Sequence, residues 1–153
     1  VQLALGWLMP DIKRGMTPGS AMSLHISIGI TILALIVLRL IWRVTHPVAP
    51  ESYLPAWQRL SSELVHWLLY LLVLATTLSG WLFESARGWT VSLYGIVPLP
   101  RLVEEGSPLG HDLGGLHSTM VWVLVALVSV HTLAAFVHLF IYRDRVMQRM
   151  LPG

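Results

Sequence analysis

The sequence predicts an all-α fold, a transmembrane four-helix bundle with the first helix truncated and three full spans present. Two observations predict it. The 153-residue chain is 55% hydrophobic and 12% charged, with a mean hydropathy of +0.68, whereas soluble domains carry about 25% charged residues. Such a chain cannot cover itself with polar surface, so much of its outside must face lipid. It also contains three apolar runs of about 20 residues or more, the length that crosses a ~30 Å hydrocarbon core at 1.5 Å per residue. Backbone groups in lipid must be satisfied within the segment, so these runs are helices.

The first element, Val1 to Met9, is apolar but too short to span. It lacks the basic n-region and small-residue cleavage site of a signal peptide. Pro10, Asp11, Lys13, Arg14 and Gly15 end it. It reads as the last turns of a first transmembrane helix whose beginning is absent, the alternative being a short interfacial helix. The full spans run from Ala21 to Trp42, Leu64 to Phe83 and Thr119 to Tyr142. Pro47, Pro50 and Pro55 make residues 43–63 a loop. Residues 84–116, rich in glycine and proline, form a long connection. Its apolar patch from Trp89 to Val97 is expected at the membrane surface, covering one end of the bundle.

Basic residues set the orientation. Arg39, Arg43, Arg59, Arg143, Arg145 and Arg149 share one side; Lys13, Arg14, Arg87 and Arg101 share the other. The first side is therefore expected in the cytoplasm. The net charge of +2 and pI near 9.4 reflect these loop arginines rather than nucleic-acid binding. There are no cysteines, which excludes disulfides, iron–sulfur clusters, thiolate haem ligation and covalent C-x-x-C-H haem attachment.

Seven histidines remain, and ionisable residues within a membrane are costly enough to be functional by default. His131 lies deep in the last span, and His117 opens the same helix fourteen residues earlier. Fourteen residues return to within roughly 40° of the same direction and separate the side chains by about 21 Å. One helix face thus offers two imidazoles at two depths, a spacing that suits two haems, one near each leaflet. Two imidazoles from different helices leave iron no open site, which favours electron transfer over oxygen binding. His25 begins the first full span from the same side as His117, so the two can share one iron. Gly29, one turn on, lets a flat ring approach the backbone. Ser27, Ser129 and Thr132 are candidate hydrogen-bond partners for the ligands. A partner for His131 is less evident: His66 opens its helix at a shallower level, and the first helix could supply a ligand instead. His138 shares the face of His131 near the interface. Arg39 is either a snorkelling anchor or a partner for a haem propionate. His46 and His111 are read as loop residues.

Several stretches resemble the bacterial cytochrome b561 family, related to the cytochrome b subunits of nickel–iron hydrogenases and formate dehydrogenases. They are H-I-S-I-G (His25 to Gly29), L-R-L-I-W-R (Leu38 to Arg43), L-V-H-W-L-L-Y-L-L (Leu64 to Leu72), G-L-H (Gly115 to His117), V-H-T-L-A-A-F-V-H (Val130 to His138) and R-D-R-V-M-Q-R-M-L-P (Arg143 to Pro152). The resemblance implies a four-helix bundle carrying two b haems in the full-length protein. By its pattern His25 and His117 hold one haem. His131 holds the other, opposite a histidine near the start of the first helix that has no counterpart in this sequence. His66, His138 and Arg39 fall near the cytoplasmic haem or quinone end. The implied protein is a multi-pass cytochrome of the bacterial inner membrane. It carries electrons to or from a quinone and a periplasmic or membrane redox partner, with superoxide:quinone oxidoreduction within the family's range. No side chain is required as nucleophile or general acid. Two other readings remain: a haem-bearing anchor subunit of a hydrogenase or dehydrogenase, and a haem-free transporter with a histidine-lined path.

Overall fold

The computed structural model describes residues 1–9, 17–47, 55–144 and 146. Among them are four α-helices: α1 (Gln2–Leu8), α2 (Ser20–Thr45), α3 (Ala56–Ala86) and α4 (Leu109–Val137). A small hairpin, β1 (Ser92–Leu93) with β2 (Val97–Pro98), interrupts the α3–α4 connection. Three helices are long and apolar enough to cross a membrane, so the chain is a multi-pass membrane protein. Asp11, Lys13, Arg14, Gly15, Pro50, Arg145, Arg149 and the side chain of His111 lie outside the described residues.

The bundle is polar inside and apolar outside. Its best-buried side chains are small or polar, among them Ser27, Thr76, Ser79, Ser85, Ala86 and Ala135. Leu35, Leu38, Leu71, Leu133 and Phe140 are exposed. Lipid tails are as apolar as leucine, so membrane helices associate through small residues that permit close approach. The most extensive interface joins α3 and α4, followed by α2 with α3. Its tightest point is Gly110-x-x-x-Gly114 on α4. A Cβ at Gly110 would collide with Cβ of Ala86, and one at Gly114 would lie 2.8 Å from the Phe83 ring.

That packing explains why α4 begins at Leu109, ten residues before the apolar run. Gly110, Gly114 and Gly115 are poor helix formers, which is why residues 84–116 read as a loop. Contact with α3 outweighs that penalty, and His111 accordingly lies on a helix. The α3 helix also extends beyond its apolar run. It starts directly after Pro55 and ends at Gly88 in the left-handed region (φ 78°). There Trp89 N–H donates to Glu84 O and Gly88 N–H to Ser85 O, the paired bonds of a Schellman stop. At the far end of α2, Pro47 holds His46 outside helical dihedrals. The α4 helix closes in a π-helical turn, His138–Tyr142, with Arg143 left-handed at φ 52°.

The hairpin turns at Tyr94-Gly95, both with positive φ, and Ile96 N–H donates back to Leu93 O. It docks on α2 through Ser27. Tyr94 N–H donates to Ser27 Oγ at 2.9 Å, and Thr31 Oγ1 meets the Tyr94 hydroxyl at 3.1 Å. Ser27 is therefore a hairpin anchor rather than a histidine partner. Ser129 donates to Val125 O within its own helix, and Thr132 is exposed.

Candidate functional site

Two pairs of imidazoles meet inside the bundle. His25 of α2 and His117 of α4 have ring centroids 6.3 Å apart at an interplanar angle of 75°. His66 of α3 and His131 of α4 are 5.2 Å apart at 71°. The first pair lies where α2 and α4 begin, the second about 21 Å further along α4. His66 is not too shallow for His131. Because α3 starts at Ala56, His66 lies about 15 Å into its helix.

Each ring of the first pair is seated by a glycine on a neighbouring helix. A Cβ at Gly80 of α3 would lie 3.1 Å from Cε1 and 3.2 Å from Nδ1 of His117. A Cβ at Gly6 of α1 would lie 3.5 Å from Cε1 and 3.9 Å from Nδ1 of His25. Four residues before each glycine stands a polar residue, Thr76 or Gln2. His117 Nδ1 is 2.8 Å from Thr76 O. A carbonyl only accepts, so Nδ1 carries the proton and the Nε2 lone pair is free to ligate. Ser79 Oγ donates to the same carbonyl at 2.8 Å and stands 3.2 Å from His117 Nδ1. Beside the other ring, Gln2 Nε2 donates to the main-chain carbonyl of His25 at 2.9 Å. The Gln2 carboxamide occupies the space beside Gly29, where a Cβ would lie 3.4 Å from Nε2. Gly29 therefore admits a side chain of α1 in this structure.

Four buried side-chain polar atoms lack a hydrogen-bond partner among the described residues: Gln2 Oε1, His25 Nδ1, Thr76 Oγ1 and Glu84 Oε2. Three belong to the immediate surroundings of the His25–His117 pair. An unpaired buried polar group costs about 1–3 kcal/mol, so their clustering marks a place built for more than apolar packing.

Arg39 and Arg43 lie in the C-terminal part of α2, Arg43 in its last turn and Arg39 exposed. His138 stands apart from His131: its Nδ1–H donates to Asp144 Oδ2 at 2.6 Å. Burial raises the Asp144 carboxyl, but the bonds from His138 and from Val146 N–H outweigh it and hold it below the usual carboxylate range. Among the described residues no three His, Cys, Asp or Glu side chains converge as a cage for a bare metal ion. Paired imidazoles are a different donor set, sufficient where a macrocycle supplies the other ligands.

The profile of the prokaryotic cytochrome b561 family matches residues 1–153. The chain belongs to that family. It is 35% identical over 134 residues to Cytochrome b561 homolog 2 of Escherichia coli (strain K12), covering 86% of this chain and 70% of that protein. It is 26% identical over 144 residues to Probable superoxide oxidase CybB of Yersinia pestis, covering 91% and 81%. Cytochrome b561 homolog 1 of Escherichia coli (strain K12) is 29% identical over 133 residues, 84% and 73% of the two chains. This cytochrome b561 is thus a membrane-embedded b-type cytochrome, and membership of the family implies haem b and redox partners.

Sequence reading of this cytochrome b561 named all four histidines and brought His25 to His117, but did not pair His66 with His131 and missed Gln2, Gly6, Thr76, Ser79 and Gly80. The signal was present. Thr76, Thr77, Ser79 and Gly80 cluster in the second half of an apolar span, and small polar residues inside a membrane helix mark its contact face.

Proposed function

We propose that the chain is an electron-transfer cytochrome of the bacterial inner membrane in which His25 and His117 would together hold a b-type haem. The observation that carries this reading is the spacing of the pair. Two iron–nitrogen bonds of about 2 Å, with each ring centroid about 1.1 Å behind its nitrogen, require centroids roughly 6.2 Å apart. The rings are 6.3 Å apart. The Nδ1–H bond of His117 to a backbone carbonyl is the outer-shell arrangement that fixes a ligating tautomer. The haem supplies the one-electron couple. The protein supplies two strong ligands, excludes water and tunes the potential through burial and hydrogen bonding.

His131 is the ligand for a second haem at the cytoplasmic level, with His66, Arg39 and His138 around it. Arg39 would pair with a propionate of that haem. Two haems at two depths would carry electrons across the membrane between an outer partner and a quinone. Superoxide is the donor supported by the likeness to the Yersinia pestis protein. The test is the visible spectrum and haem-to-protein ratio of the full-length protein. His25→Ala and His117→Ala should each remove the same haem and leave the other largely intact. Absence of bis-histidine bands in the parent, or loss of neither haem in both variants, sinks this reading.

A further inference from the structure

On the reading that His117 ligates iron, we infer that Ser79 and Gly80 of α3 are positioning residues that set the reduction potential of that haem, through opposite effects on one hydrogen bond. The bond runs from His117 Nδ1–H to Thr76 O at 2.8 Å. A stronger bond at this nitrogen makes the imidazole more electron-rich, which favours ferric iron and lowers the potential. A weaker bond does the reverse.

Two features of α3 act on the bond, and both lie closer to the Nδ1 edge of the ring than to Nε2, which a Cβ at Gly80 would approach only to 3.9 Å. Gly80 provides room. A Cβ there would stand 3.1 and 3.2 Å from the Cε1 and Nδ1 edge of the ring, closer than ordinary carbon contact of about 3.5–4.0 Å. The ring would have to retreat by a few tenths of an ångström, away from the helix that holds its acceptor. Ser79 competes for that acceptor. Its hydroxyl donates to Thr76 O at 2.8 Å, so the carbonyl serves two donors at once.

The α1 helix repeats the layout around His25 with less tension. Gln2 and Gly6 have the same four-residue spacing as Thr76 and Gly80, and the Gln2 carboxamide donates to the His25 main-chain carbonyl. There a Cβ would reach only ordinary contact, 3.5 Å from Cε1. The arrangement therefore predicts unequal sensitivity at two matched glycines.

The experiment is redox potentiometry and ferric low-spin electron paramagnetic resonance on the full-length haem-loaded protein, with haem content measured in parallel. The haem in question is the one that His117→Ala removes. Gly80→Ala should raise its midpoint potential and shift its g values while the haem stays bound. Ser79→Ala, which frees the carbonyl for His117 alone, should lower the potential. Ser79→Thr, which restores a hydroxyl, should return it towards the parent. Gly6→Ala, whose methyl would reach His25 only at ordinary contact, should shift that haem's potential less than Gly80→Ala does. A purely structural role for α3 would give shifts of one sign, or none, and either result with haem retained overturns the inference. If Gly80→Ala releases the haem, the Ser79→Ala and Ser79→Thr pair decides alone. If the parent holds no haem, or His117→Ala loses none, the ligand assignment fails rather than the tuning.

Discussion

Gly114 and Gly115 are adjacent on α4, yet replacing them with alanine should have opposite consequences. At Gly115 an added Cβ meets nothing within 4 Å. Gly115→Ala therefore gains helix propensity without a steric cost, up to about 1 kcal/mol. At Gly114 the same methyl would lie 2.8 Å from two carbons of the Phe83 ring. Ordinary contact is about 3.5–4.0 Å, so Phe83 or the whole of α4 must move by roughly 0.7 Å or more. Overpacking of this kind costs about 1–3 kcal/mol, which offsets the propensity gain and leaves Gly114→Ala neutral to about 2 kcal/mol less stable than the parent. The two variants should thus differ by about 1–3 kcal/mol. Thermal unfolding in detergent, followed by size-exclusion chromatography, orders them: Gly115→Ala at or above the parent, Gly114→Ala below Gly115→Ala. If Gly114→Ala proves as stable as Gly115→Ala, helix propensity alone governs this segment and the close α3–α4 crossing does not hold α4 in place.

Further outcomes follow from single contacts. Ser27→Ala leaves Tyr94 N–H without its 2.9 Å acceptor and should destabilise hairpin docking by about 1–3 kcal/mol, read as faster limited proteolysis between residues 92 and 98 with the spans intact. Ser27→Thr, which keeps an acceptor, should be milder. The Asp144 carboxyl is held below the usual range, so its contribution is complete above the unfolded pKa near 3.9. It is lost as pH falls further through the folded value. Hydrogen exchange at the Val146 amide, which donates to Asp144 Oδ1 at 3.0 Å, should lose protection below about pH 4, and Asp144→Asn should lack that pH-dependent step. Finally, His66→Ala should perturb the spectrum of the haem assigned to His131 and spare the one assigned to His117. The reverse pattern would show that the ring contact at 5.2 Å does not report a shared site.

The spans and the His25–His117 meeting were legible because both follow from simple periodicities. A membrane helix must contain about 20 apolar residues, and two parallel spans entered from the same side bring their first turns to one level. What hydropathy could not give was the true helix ends. Polar and glycine-rich turns beyond an apolar run look like loop whenever tertiary contact, rather than propensity, makes them helical. That one limitation produced two misplacements. It put Gly110, Gly114 and His111 in a connection, where contact with Ala86 and Phe83 holds them in α4. It also set His66 at the mouth of its helix, where eight further residues before Leu64 in fact carry it to the level of His131.

The residues around the first imidazole pair escaped for a different reason. Hydropathy treats Thr76, Ser79 and Gly80 as mild blemishes in a span, because it scores transfer to lipid and these residues never meet lipid. Ser79 Oγ, the Thr76 carbonyl and the open space at Gly80 all meet His117 of α4, where a missing Cβ and a shared carbonyl matter more than polarity. A histidine in a membrane helix therefore predicts more than a partner histidine. Its second ring nitrogen also needs a partner, and for His117 that partner is a neighbouring helix carbonyl reached past a glycine. Searching opposite each intramembrane histidine for a polar residue followed four positions later by glycine finds Thr76 with Gly80 and Gln2 with Gly6. Those are the two places where the structure seats a ring.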